Sequence, residues 1–380
     1  MRFYSGLLAA VAICVLAVTG NATQLKKHNK IIIGYIFAGR GGPIDPTTVA
    51  AAKLTRINYA FFRVKDGVII EGSQNAAANL AALNSLKQAN PALQIVVSVG
   101  GGGEGSIGFS DMARNTQGRQ RFVDSAIGII EKYHLDGIDI DWEYPGYTHA
   151  PSVHVRPEDS ENYTALLREL RLRFNREEKR LHRRLYTSSA TGATRIWLDH
   201  TDMRQAARWL DSVNMMCYDW YMTGKNTGHD SPLYTSPQDP RAISIDNAVK
   251  MYRAAGVPMK KIVIGVPFYG RRWVGVEPGA THGLWQPPLD QNAAPVEMSF
   301  AKIEPLINAL GYVRYWDPVA MAPYLYNATE KSFITYNDPE AELARTDYVK
   351  KHHLQGIMFW QYTGDPDNVL LDAINKGFDW

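Results

Sequence analysis

The stretch Asp136-Gly137-Ile138-Asp139-Ile140-Asp141-Trp142-Glu143-Tyr144-Pro145 constrains this chain more than any other. Acidic and apolar residues alternate through it with a period of two. Strand side chains point alternately to opposite faces, so Asp139, Asp141 and Glu143 share one face. Ile138, Ile140 and Trp142 share the other and can pack against helices. Three carboxylates at roughly 7 Å Cα spacing, from about 3.3 Å of rise per residue, cannot all stay cheaply ionised. Like charges push at least one pKa upward, so the row is expected to share protons. Such sharing can hold a carboxyl group as a general acid at neutral pH. The pattern alone leaves three other readings open. The strand could be a solvated sheet face, although Asp disfavours strands. It could hold a hard cation, although calcium ligands usually come from loops that wrap the ion. It could also be a buried structural network.

The rest of the chain alternates strand and helix. Apolar runs at 31–37, 57–64 and 94–99 read as strands, and the acidic stretch is the fourth. Residues 185–191, 212–218, 262–268 and 356–361 read as the fifth to eighth. Helical spacing marks 76–89 and 119–134, the latter through Phe122, Ala126, Ile129, Ile130 and Tyr133. A further helix is expected from an N-cap at Ser160, with Tyr163, Leu166, Leu167, Leu170 and Phe174 on one stripe, and another over 340–352. Eight strands separated by helices imply parallel pairing, most economically a closed α/β (β/α)8 barrel whose chemistry sits at the C-terminal mouth. An open doubly wound sheet is the alternative. The interval between the seventh and eighth strands is longer than one crossover helix needs. Residues 271–336, rich in Pro, Gly and aromatics, are therefore expected to form a small ordered α+β insertion subdomain.

Composition narrows the classes. With 380 residues and 45% hydrophobic content, the chain can bury a large core. A net charge of +3 is too small to argue for nucleic acid. The basic run 168–184 lies on a helical pattern and reads as a solvated face. Arg2, the apolar run from Leu7 to Val18, and small residues at Thr19, Gly20 and Ala22 read as a signal peptide over 1–22. The mature chain, 23–380, is then expected to be secreted, extracellular or periplasmic, as a monomer free of the membrane. Cleavage would remove Cys14 and leave Cys217 alone, a buried apolar cysteine without an intrachain partner. The glycines after Ser98-Val99 are not followed by a P-loop Lys and lack dinucleotide-binding spacing. No His/Cys cluster has zinc spacing, so neither metal nor cofactor is expected.

The acidic stretch matches Asp-x-x-Asp-x-Asp-x-Glu, and the chain resembles the family 18 glycoside hydrolases, the chitinases, on that signature. Ser98-Val99-Gly100-Gly101 resembles a second motif of the family, and Met216-Cys217-Tyr218-Asp219 a third. The resemblance implies the same barrel, with the insertion seen in chitinases that have deep clefts. It implies Glu143 as the acid that protonates the glycosidic oxygen and Asp141 as the group that orients the substrate's acetamido. It implies Asp139 as the buried partner sharing Asp141's proton, Asp136 as structural, and Tyr218 as donor to the attacking acetamido oxygen. Trp360 would floor a sugar subsite, Met216 would lie beside Tyr218, Asp219 would orient the sugar or Tyr218, and Arg271 would lie on the leaving-group side. Tyr35, Phe61, Tyr144 and Trp220 are further aromatic candidates; for Phe61 and Trp142 a core role competes. The implied activity is hydrolysis of chitin and chitooligosaccharides with substrate assistance and retention. The alternatives are an endo-β-N-acetylglucosaminidase on N-glycans and a chitin-binding lectin on the same barrel.

Overall fold

The computed structural model describes residues 29–39, 42–222 and 226–380. The expected signal peptide over 1–22 lies outside the described residues. The strands in chain order are β1 Ile31–Phe37, β2 Arg56–Lys65, β3 Val68–Ile70, β4 Gln94–Gly100, β5 Gly137–Asp141, β6 Tyr186–Gly192 and β7 Ser212–Met216. They continue with β8 Ile262–Pro267, β9 Tyr269–Trp273, β10 Val296–Ser299, β11 Tyr312–Asp317, β12 Ala322–Asn327, β13 Ser332–Thr335 and β14 Gly356–Trp360.

Eight of these, β1, β2, β4, β5, β6, β7, β8 and β14, pair in parallel, and β1 pairs with both β2 and β14. The sheet therefore closes into the barrel. The open-sheet alternative fails at that closing pair. Strand β3 is a short antiparallel hairpin on β2 that sequence reasoning missed.

The alternation in β5 sorts its side chains into two environments. Ile138, Ile140 and Trp142 are fully buried in the layer between barrel and helices. There Trp142 stacks on Phe109 at 5.2 Å between centroids and meets Tyr163 edge-on. The helix Thr116–Tyr133 supports this layer through Phe122, Val123, Ala126, Ile127, Ile130 and Tyr133. Asn115 caps it by accepting from the Gly118 amide at 2.8 Å. Truncating Phe122 to Ala would cost roughly 3–5 kcal/mol, the usual loss for a buried aromatic. The helix Asp159–Leu181 buries Tyr163, Leu166, Leu167, Leu170 and Phe174 on the same layer. Ser160 is not its cap: the helix starts one residue earlier, and Asp159 accepts from the Arg156 amide and the Ser110 hydroxyl.

Inside the barrel a smaller apolar group, Ile33, Tyr35, Ala60, Val263 and Met358, underlies Phe61, Met216, Tyr218 and Trp360. Between β8 and β14 the chain builds a separate antiparallel sheet in the order β10-β9-β13-β12-β11. Its aromatics pack on one another, as in the stacked Tyr315–Tyr324 pair at 5.4 Å. It starts at Tyr269, two residues earlier than the sequence suggested, because β9 follows β8 almost directly. The helix Pro339–Lys351, capped by Asp338 with Pro at its first turn, returns the chain to β14. Among the described residues no helix is long and apolar enough to cross a membrane.

Candidate active site

Strand register decides what surrounds the acid row. Ser98 on β4 and Ser188 on β6 lie directly beside Asp139 on β5. The Asp139 carboxylate accepts from Ser188 Oγ at 2.6 Å, Ser98 Oγ at 2.8 Å, Tyr35 Oη at 2.9 Å and Asn214 Nδ2 at 3.3 Å. Burial raises its pKa above the ordinary carboxylate value, and the Ser188, Ser98 and Tyr35 donors oppose that rise.

Asp141 is also buried, and its Oδ1 has no hydrogen-bond partner. Burial pushes its carboxyl well above the ordinary value, and the charges of Glu143 and Asp139 push further. Its side chain hydrogen-bonds Glu143 rather than Asp139. The expected Asp139–Asp141 proton sharing is thus replaced here by an Asp141–Glu143 pair. The reason is that donors from β1, β4, β6 and β7 already occupy both Asp139 oxygens. Glu143 lies just past the end of β5. Burial raises its pKa to about 7, against hydrogen bonds from Tyr144 and Asp141 and with a further push from the Asp219 charge. A carboxyl group so placed carries a proton up to neutral pH.

The glycine loop after β4 shapes this edge. Gly100 and Gly101 have φ of +120° and +97°, and a Cβ on Gly100 would lie 2.0 Å from the Asp141 carbonyl oxygen. The loop then places Ser106, whose hydroxyl accepts from the Glu143 amide at 2.7 Å. Its glycines serve close approach to the acid strand.

Asp141, Glu143, Gly102 and Gly103 line a cleft of about 560 Å³ at the C-terminal mouth. Of the residues singled out from sequence, Glu143, Asp141, Tyr218, Phe61, Tyr144, Met216, Asp219, Trp220 and Trp360 all line it. Trp360 is partly exposed and stacks with Phe61 at 5.4 Å, so Phe61 belongs to the cleft and Trp142 to the core. Tyr144 stacks on Tyr147 at 4.7 Å, and both rings line the cleft. Burial holds the Tyr218 phenol well above its ordinary pKa, so it stays a hydrogen-bond donor.

Three expected site residues do not line the cleft. Asp139 lies outside its lining and is fully buried. Tyr35 is only 2% exposed and donates its hydroxyl to Asp139. Arg271 is buried as well and pairs with the Asp219 carboxylate, which also accepts from Tyr269 Oη at 2.6 Å. Asp136 sits before β5, accepts from the Ile95 amide at 2.7 Å and pairs with Lys87 and Arg183, a structural position. Sequence reasoning missed Ser106, Ser188, Asn214, Tyr147 and Tyr269. The acid row flags the two strands beside β5 as sources of donors, which would have found Ser188. Nothing local marks Ser106.

A family model for glycosyl hydrolases family 18 matches residues 26–365. Chitinase A1 of Niallia circulans is 35% identical over an alignment covering 98% of this chain and 62% of its own length. The chain thus spans about three fifths of that relative. Chitinase B of Serratia marcescens is 28% identical, with 89% of this chain and 79% of its own length covered. A solved structure of a family 18 N-acetylglucosaminidase from Paenibacillus barengoltzii is 38% identical, covers 92% of this chain and 100% of its own, and superposes with a TM-score of 0.84. The signature acids, the barrel that carries them and these matches agree: the chain belongs to the glycosyl hydrolases family 18.

Proposed function

We propose that this protein is a secreted chitinase that hydrolyses β-1,4 bonds between N-acetylglucosamine units with retention of configuration. The observation that carries the reading is Glu143. It is a cleft carboxyl with pKa raised to about 7 and hydrogen-bonded to Asp141, while Asp219, the other acid among the described lining residues, is paired with Arg271. The nucleophile is then the substrate's own acetamido oxygen. It attacks C1 as the bond to the leaving oxygen breaks, and the Glu143 proton passes to that oxygen. Asp141 orients the acetamido group through its N–H, and Tyr218 donates to its oxygen. Water then adds to C1 of the oxazolinium ion and yields its proton to Glu143, restoring the acid. Holding the intramolecular nucleophile in place raises its effective concentration.

Trp360, Phe61, Tyr144 and Tyr147 suit a sugar polymer, because sugars pack their C–H faces on aromatic rings. The sheet β9–β13 beside the cleft favours chitin over an endo-β-N-acetylglucosaminidase substrate. An intact Glu143, Asp141 and Tyr218 favour catalysis over a lectin. The leader at 1–22 and a monomeric mature chain belong to the same proposal. Chitin oligomers assayed beside a high-mannose glycoprotein test it. Oligomer cleavage is expected, whereas glycan release alone, or binding without turnover across pH, would overturn it.

A further inference from the structure

Among the described residues, Asp219 is the one acid lining the cleft that forms an ion pair, with Arg271. Its carboxylate accepts from Tyr269 Oη and Arg271 Nη2, and its backbone has φ of +61°, a conformation Asp tolerates better than most residues. Arg271 is itself held from behind. Its Nε lies 3.4 Å from Asp230 Oδ1 and its Nη2 lies 3.6 Å from Glu297 Oε2. Asp230 is only 1% exposed, and neither of its oxygens has a hydrogen-bond partner of good geometry, although the Asp219 amide and Arg271 both face it. Its backbone is fixed on both sides: its amide donates to Thr335 Oγ1 at 3.0 Å and its carbonyl accepts from the Trp220 amide at 3.5 Å. A buried carboxylate left so short of donors is costly unless the nearby cation neutralises it.

We propose that Asp230 is a positioning residue for sugar binding: it anchors the Arg271 guanidinium, which in turn holds the Asp219 carboxylate against the cleft. The charged groups facing Asp230 are Arg271 on β9, Asp219 after β7 and Glu297 on β10, with the Tyr269 phenol alongside. Burial and the Asp219 charge raise the Asp230 carboxyl to about 7, against the pull of Arg271. Below that pH Asp230 is neutral and its hold on Arg271 weakens. Above it the anchor is charged, and Asp219 is better fixed. Sugar affinity is therefore expected to improve as pH rises through about 7, opposite in sign to the loss of a protonated acid.

The inference rests on the proposed substrate class, and its test separates the two. Asp230→Asn keeps the shape and removes the charge. It should raise KM for a chitin oligomer about 3- to 10-fold at pH 8, more than it lowers kcat, with a smaller effect at pH 5.5. The same weakening should appear in oligomer binding to Glu143→Gln, measured by calorimetry with Asp230→Asn added, so a lack of turnover does not hide it. Combined with Arg271→Lys, the two losses should not add, because both break one chain of contacts. Equal KM and binding for Asp230→Asn at both pH values, or full additivity with Arg271→Lys, would overturn the assignment. A thermal melt of Asp230→Asn separates a general loss of folding from this selective change.

Discussion

Two carboxylate clusters reach the cleft, one through Asp141 and Glu143 and the other through Asp219, and they differ in what surrounds them. The row on β5 is surrounded by neutral donors. Asp139 meets hydroxyl groups and an amide, Asp141 and Glu143 meet each other, and Arg56 and Arg63 act on the row only behind burial and hydrogen bonding. Its pKa values rise, and it stores protons. The second cluster, Asp219, Asp230 and Glu297, is arranged around Arg271. Burial works against that guanidinium's charge, but the Asp219 and Asp230 carboxylates outweigh it. Burial raises carboxyl groups in both clusters, but neutral donors chiefly oppose the rise at Asp139, whereas the Arg271 guanidinium opposes it at Asp230.

The largest expected break in this contrast is Glu143→Gln. The amide is nearly isosteric but cannot protonate a leaving oxygen, so kcat should fall roughly 10³-fold while oligomer binding persists. Steady-state kinetics with calorimetry measure both. For the wild type, the acid must be protonated, so kcat should decline as pH rises through about 7. The stability sign follows from the same shift. The Glu143 carboxyl is raised from 4.5 to about 7 in the fold, so its contribution is present below pH 4.5 and is lost as pH rises to about 7. Denaturant titrations should therefore show wild type weakening relative to Glu143→Gln over that window and running parallel outside it.

Asp141→Asn comes next, at roughly 10²-fold in rate, with the descending limb of the pH profile displaced because the coupled pair is gone. An unchanged limb would dissolve the Asp141–Glu143 pairing. Ser188→Ala is smaller. It removes one of the donors on Asp139, which should cost about 1–2 kcal/mol in stability by denaturant titration and raise the Asp139 carboxyl further. Activity should fall only several-fold, because Tyr35, Ser98 and Asn214 remain.

The strands and their order were legible because hydrophobic periodicity is local. All eight barrel strands fall within a few residues of their sequence-based limits. Glu143 and Asp141 were legible from one short motif and Tyr218 from another, Met216-Cys217-Tyr218-Asp219, and all three line the cleft. The surroundings of Asp139 were not. Its donors Ser98, Ser188 and Tyr35 lie 41, 49 and 104 residues away, and only the register between strands brings them together. The same limit hid the Tyr35–Asp139 and Asp230–Arg271 contacts, since an aromatic or acid near a motif reads as a ligand contact until its burial is known. The Ser160 cap failed for a different reason: the helix already begins at Asp159, with Glu158 at the cap position.

The central claim is that the cleft supplies an acid and leaves the nucleophile to the substrate. Partly acetylated chitosan tests it most directly, with the new reducing ends followed by proton NMR from the first minutes. On the proposed mechanism the sugar at the cleaved position must carry the acetamido group, with Glu143 as the acid and Asp141 orienting the amide. The account predicts that every new reducing end is N-acetylated and appears first as the β-anomer, while fully deacetylated chitosan stays intact. Fresh glucosamine reducing ends, or α-anomer as the first product, would contradict it.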